Sequence, residues 1–449
     1  MSSGYEVLAA EVVKRALAAG ATDAECTISE GDEFSVALRM REVESLKEAG
    51  SRGAGLRVLS GKRVGSAYTS DLTGEGIDGM VHSAMDLLSI TTEDPHAGLP
   101  DADELGSLNG NLELYSDSVE RLETAYKIEL ARQAEDAALR FDPRVTNSEG
   151  ASFDSYTGSR SFANSRGFAG SYRSSTCSLS VVPVVKGEER MERDYWYTAA
   201  RAAARLEKPA DVGRRAAERA LRRLNARKVP TQTVPVVFDQ RTARSLLDHI
   251  FDATNGDSIY RKASFLAGKL GERVASEKLT VIDDGTLPGL FGTSPFDDEG
   301  VPSRRTVVIE KGVLKSYLLN SYTARKLGMK TTGNASRGIT GNAGIGHGNF
   351  FAEAGEEPPE KIIASIRNGF YVTELLGFGV NIVTGDYSRG AAGLWIENGE
   401  LAYPVSEVTV AGNLSRMYQD IETVGSDLEF RGSIASPTLL VREMTVSGR

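Results

Sequence analysis

The chain has 449 residues, 40% of them hydrophobic and 25% charged, with a formal net charge of −10. That length exceeds one ordinary core and calls for two or three domains, and the acidic balance opposes general binding to a phosphate backbone. Two cysteines, Cys26 and Cys177, exclude a disulfide framework or a cysteine-built zinc site, and no apolar run approaches the roughly 20 residues of a membrane helix. The opening Met1-Ser2-Ser3-Gly4-Tyr5-Glu6 lacks the basic start and apolar core of a signal peptide, so cytoplasmic residence is the expectation. A helix is predicted over 5–19, with Leu8, Val12, Val13, Ala16 and Leu17 on one face and Gly20 as its stop. Alternating stretches at 25–29, 34–40, 43–48, 53–59 and 63–69 predict strands, the last two joined by a turn at Gly61-Lys62. A helix follows over 74–88, then a polar, proline-bearing surface loop over 91–111 and a periodic helix over 119–139.

A second round then begins, with strands predicted at 145–156, 159–165, 167–184 and 189–197 and a proline-started, alanine-rich helix over 209–227. Both rounds run helix, antiparallel strands, helix. Both also place a Ser-Arg-Gly phrase ahead of a strand, at Ser51-Arg52-Gly53 and Ser165-Arg166-Gly167, which predicts a tandem repeat. The basic run over 214–228 reads as a solvated helix face.

Val229-Pro230-Thr231-Gln232-Thr233-Val234-Pro235 breaks the pattern and marks a domain boundary. Beyond it, mostly short strands are predicted at 236–239, 280–283, 305–310, 313–319, 371–375, 381–383, 393–397, 400–410 and 439–446. Helices interrupt them at 241–254, 321–328 and 359–369. The expected fold class is α+β: an N-terminal domain of tandem helix/antiparallel-sheet units over 1–228, and a mainly-β C-terminal sandwich or barrel-like domain over 229–449.

Functional groups concentrate over 381–413. There a glycine-flanked loop carries Asp386, Tyr387, Ser388 and Arg389, followed by a hairpin at Glu397-Asn398-Gly399-Glu400, whose Asn-Gly supplies the positive φ that a tight turn needs. The loop suits contact with a peptide backbone or with another subunit, or is a turn whose Asp386 and Ser388 bond their own backbone. A second polar loop, over 332–339, holds Asn334 and Arg337. His347 lies in the glycine-rich Gly344-Ile345-Gly346-His347-Gly348-Asn349, where a metal ligand, a catalytic base and a plain loop residue are all open. Asp248, His249 and Asp252 share one stretch of the 241–254 helix, as a makeshift metal site or as hydrogen-bonded groups. His82 and His96 suggest nothing. No G-x-S-x-G elbow, Walker lysine loop or dinucleotide fingerprint occurs in context.

The 381–413 stretch resembles the C-terminal domain of the TldD/PmbA family, on its PmbA (TldE) side, and the resemblance covers essentially the whole chain. That family consists of paired proteins forming a zinc peptidase. Its catalytic, TldD-side members carry H-E-x-x-x-H on a helix and a later cysteine. The matching helix here, Ser245-Leu246-Leu247-Asp248-His249-Ile250-Phe251-Asp252-Ala253-Thr254, has one histidine and no His-Glu pair, and Val424-Gly425-Ser426-Asp427-Leu428-Glu429-Phe430 has no cysteine. The resemblance therefore implies no catalytic or metal-binding residue and no cofactor in this chain, with zinc in a TldD-like catalytic subunit. It further implies unfolded polypeptides or peptides as substrates, leader-peptide removal among the tasks, and homodimers when the chain is isolated. Substrate or partner contact falls to Asp386, Tyr387, Ser388, Arg389 and His347. Asn334 and Arg337 join them through the strand addition by which the family's peptidases bind substrate. Two other readings stand beside this one: a regulatory binding protein of the gyrase-modulator type, and a self-sufficient hydrolase using His347 and the Asp386–Arg389 loop.

Overall fold

The computed structural model describes residues 4–188 and 190–448; Glu189, where a strand is predicted to start, lies outside them. Helix α1 (Gly4–Ala18) buries Ala9, Val12, Val13 and Ala16 against β1 (Asp23–Arg39) and β2 (Glu42–Ser60). These two long strands replace four predicted short ones. Hydrophobic alternation lapses at Glu30-Gly31-Asp32 and across Gly50-Ser51-Arg52, but backbone pairing runs on, Gly31 with Ser51 and Asp32 with Gly50. Their hairpin turns on Met40 and Arg41 with φ of 50° and 73°, the left-handed pair that a tight hairpin requires. The buried Glu135 carboxylate accepts both turn N–H groups, at 3.0 and 2.6 Å.

β3 (Arg63–Thr69) and α2 (Gly74–Ile90) complete the first round. In the second, the predicted 119–139 helix breaks into α3 (Asp117–Glu120) and α4 (Thr124–Leu139). β4 (Val145–Asn164), β5 (Ala169–Lys186), β6 (Met191–Arg193), β7 (Trp196–Ala200) and α5 (Pro209–Leu221) follow. Both rounds feed one seven-stranded sheet, ordered β3-β2-β1-β4-β5-β6 with β7 on β5. The antiparallel β1–β4 pair joins them. α5 is not simply a solvated basic face. Arg219 lies 3.3 Å from Asp194 and 3.9 Å from Asp239, and Arg223, just past the end of α5, lies 2.5 Å from Glu374, so the pairs with Asp239 and Glu374 link the first half of the chain to the second.

The second half comprises β8 (Gln232–Phe238), α6 (Gln240–Thr254), α7 (Gly256–Tyr260), β9 (Val281–Asp284), β10 (Arg305–Glu310), β11 (Val313–Leu314) and α8 (Ser321–Leu327). β12 (Ala335–Ser336), β13 (Gly344–Ile345), β14 (Asn349–Ala352), α9 (Pro359–Ala364) and β15 (Asn368–Leu376) come next. It ends with β16 (Asp386–Glu397), β17 (Glu400–Asn413), α10 (Leu414–Gln419), β18 (Ile421–Val424), β19 (Ile434–Ala435) and β20 (Leu439–Ser447). The path β17-β16-β15-β8-β20 returns on itself because β17 also pairs with β20. A closed five-stranded barrel results, as the barrel-like expectation requires. Phe238, Phe370, Trp395, Val410 and Met444 lie in its core. A five-stranded sheet ordered β11-β10-β9-β14-β19 stands beside it.

Two expectations near the barrel mouth need correction. The predicted strand at 381–383 is a turn, because the Asn381 side chain accepts the N–H of Val383 at 2.9 Å. Asp386, Tyr387, Ser388 and Arg389, expected in a loop, open β16 and pair with β17 from Asp386↔Asn413 onward. Alternation along that strand buries Tyr387 and exposes its neighbours Asp386 and Ser388.

Candidate functional site

α6 starts where Asp239 caps it, accepting the N–H of Thr242 at 2.8 Å. Leu246, Leu247 and Ile250 face the core, while Arg244, Asp248 and Asp252, spaced four apart, line the opposite, open side. His249 lies between the two faces. Its ring stands edge-on to Tyr387, centroids 6.1 Å apart, and its Nε2 is sealed from solvent without a hydrogen bond. Burial, with the Arg389 charge adding to it, holds the imidazole near 4, well below its ordinary value. Burial also raises the Asp248 carboxyl, against the opposing charges of Arg244, His347 and Arg389.

His347 closes this side of the site. Its Nδ1 lies 2.8 Å from the Gly348 carbonyl, and its ring packs edge-on to Phe251 at 4.8 Å. Sequence neighbours and distant residues thus converge: Asp248, His249, Asp252, His347, Tyr387 and Arg389 surround one face of α6. Asp386 and Ser388 do not join them. Asp386 accepts the Thr384 hydroxyl at 2.7 Å, and Ser388 donates its N–H to Gly379.

Asn334 and Arg337 belong to the junction between the two halves. Arg337 is buried and pairs with Glu25 of β1. Asn334 donates to Asp283 at 2.6 Å and to the Gly346 carbonyl at 3.1 Å. It lines a polar cavity of about 330 Å³ with Tyr172, Arg201, Asp283, Asp297 and His347. His347 therefore borders both the cavity and the α6 face.

Asp283 and Arg201 were not anticipated from the sequence. The available signal is an acidic pair closing an otherwise apolar strand, Val281-Ile282-Asp283-Asp284, all four residues buried. Burial pushes the Asp283 carboxyl up to about 7, although Asn334 and the Gly348 N–H donate to it. The folded chain holds a proton there that the unfolded chain, with a carboxyl near about 3.9, has released. Stability therefore falls as pH rises from about 4 to about 7, by about 4 kcal/mol at most. His249 works in the opposite sense, since an unfolded histidine near about 6.5 binds a proton that the folded ring refuses. Asp283→Asn is expected to remove the first effect and leave the second. Urea denaturation should then show this variant gaining stability relative to the wild type as pH rises from about 4 to about 7; a profile parallel to the wild type would refute the assignment.

Zinc, which the resemblance places in catalytic relatives, does not fit this donor set. No group of three or more His, Cys, Asp or Glu side chains able to hold a metal ion occurs among the described residues. The imidazole Nε2 of His249 is enclosed beside Tyr387, and a guanidinium shares the space. Cys26 and Cys177 are buried in the N-terminal sheet, their thiols pushed up by burial to about 12 and about 11. No helix among the described residues is long and apolar enough to cross a membrane.

Three family profiles match in order: PmbA/TldA metallopeptidase domain 1 over 24–88, its central domain over 117–224, and its C-terminal domain over 231–448. Metalloprotease PmbA of Escherichia coli O157:H7 is 41% identical over 96% of this chain and 94% of its own length. The Metalloprotease PmbA homolog of Haemophilus influenzae is 38% identical over 97% and 94%. Among solved structures, a Bacteroides thetaiotaomicron protein described as a candidate modulator of DNA gyrase is 30% identical and covers 100% of both chains at a TM-score of 0.92. TldE of Thermococcus kodakarensis shares the fold at a TM-score of 0.88, with 21% identity over 98% of this chain and 100% of its own.

Proposed function

Since the chain belongs to the PmbA/TldD metallopeptidase family, we propose that it is the subunit of a zinc peptidase that carries no metal and performs no hydrolysis. A TldD-like partner supplies the zinc and the cleaving water, and this chain completes a cytoplasmic chamber for unfolded polypeptides and leader-bearing peptides. The supporting observation is the donor deficit at α6. One histidine stands where two are needed, and its Nε2 is enclosed against Tyr387 with Arg389 close by. Zinc binding requires several converging, accessible lone pairs, and this face, with one enclosed imidazole and a guanidinium beside it, does not offer them.

In this role the α6 face, with Asp248, Asp252, His347 and Arg389, forms part of the chamber wall. The expected result is that the purified chain, loaded with zinc and then desalted, retains no stoichiometric metal by elemental analysis and cleaves no denatured protein. Mixing it with a TldD-like subunit restores hydrolysis. Stoichiometric zinc in the isolated chain, or cleavage that persists without a partner, overturns the reading.

A further inference from the structure

Arg389 feels the Asp248 charge but is left without a hydrogen-bonded partner in a place where arginines are rarely left so. It is half-buried in β16, its Nε is sealed from solvent without an acceptor, and no ion pair or hydrogen bond holds its guanidinium among the described residues. Two further groups beside it are in the same condition. The Tyr387 hydroxyl, on a residue only 2% exposed, and His249 Nε2 are both enclosed and unbonded. The three lie together: the His249 and Tyr387 rings stand 6.1 Å apart, and the Arg389 charge bears on both residues. An enclosed polar group without a partner costs about 1–3 kcal/mol, so three at one point describe a site kept for something that brings acceptors.

The chemistry of that ligand follows from the groups. A guanidinium only donates, a phenol donates readily, and a neutral imidazole donates from Nε2 in one of its tautomers. The complement is a planar anion able to meet the arginine fork. Asp248 and Asp252 stand on the same face and oppose a phosphate dianion twice as strongly as a monoanion. A carboxylate is therefore favoured. Resting on the peptide-handling role above, we propose that Arg389, backed by Tyr387 and His249, receives the C-terminal carboxylate of a polypeptide and fixes that end of the substrate against α6. The fork meets the carboxylate directly, with the Tyr387 hydroxyl and His249 Nε2 standing behind it.

The test uses the isolated full-length chain and a fluorescent decapeptide prepared with a free C-terminus and as its C-terminal amide. Anisotropy should show the acid binding about tenfold more tightly than the amide, the scale of one charge-assisted pair. Arg389→Gln should reduce the acid to the level of the amide. Tyr387→Phe keeps the packed ring, removes only the unbonded hydroxyl, and should weaken the acid several-fold without affecting the amide. Equal binding of acid and amide, or a preference that survives Arg389→Gln, overturns the inference. If Arg389→Gln instead weakens only assembly with a TldD-like subunit, the carboxylate belongs to that subunit and the inference also falls. None of these results touches the metal-free role, which depends on zinc content and on hydrolysis by the pair.

Discussion

Replacing Arg337 by alanine is expected to destabilise the chain by about 3–5 kcal/mol, the usual consequence of stripping one partner from a buried ion pair. Glu25 is 1% exposed and sits between Arg337 and Arg57, the latter at 3.1 Å. Burial alone would push its carboxyl up, but the charges of Arg337 and Arg57 overcome that and hold it below the ordinary range. A carboxyl depressed in the folded chain adds stability above its unfolded value near about 4.3, and loses it as pH falls through the folded value. The variant should therefore lose most at neutral pH and converge with the wild type in acid. Arg57 remains in place but also bonds Asn342 at 2.9 Å, so it cannot turn wholly to Glu25. Urea denaturation across pH checks this, and a loss below about 0.5 kcal/mol at pH 7, the size of an ordinary surface change, would contradict it.

The Arg337–Glu25 pair also shows what the sequence could and could not disclose. Asn334 and Arg337 stand out on the page because polar groups crowd a glycine-bearing loop. The partner that explains Arg337 is 312 residues away, however, and no local pattern points to it. Barrel closure was legible in outline, through short apolar strands and glycine turns; the pairing of β17 with β20 that closes it depends on long-range register. Strand lengths in the first half were misjudged because side-chain alternation stops at Gly31 and Gly50 whereas backbone pairing does not. The dense group Asp386–Arg389 was visible as chemistry. Its division between an enclosed pair, Tyr387 and Arg389, and an outward pair needed the strand that the sequence disguised as a loop. Asp283 escaped notice because its burial arises from β14 and from Asn334, 51 residues on.

Gly55→Ala should disturb the same junction without removing any charge. A Cβ at Gly55 would lie 1.5 Å from the Ile339 carbonyl oxygen and 2.5 Å from its carbon, both backbone atoms that no rotamer change can clear. The strand cannot retreat, because Gly55 pairs with Thr27 on one side and Tyr68 on the other. The segment over 337–343 must therefore lift, carrying Arg337 off Glu25 and Asn342 off Arg57. The overpacking alone costs about 1–3 kcal/mol, and the freed ion pair adds to it. Gly61→Ala provides the contrast: its φ of 60° carries backbone strain, but nothing lies within 4 Å, so about 1 kcal/mol is expected. Because Gly55→Ala already unseats the loop, adding Arg337→Ala should cost much less than it does alone, a coupling of at least about 1 kcal/mol between contacting elements. Strictly additive losses in the double variant, or a Gly55→Ala cost no larger than that of Gly61→Ala, would mean that the loop is not held against β2 by this contact, and that Arg337 anchors it unaided.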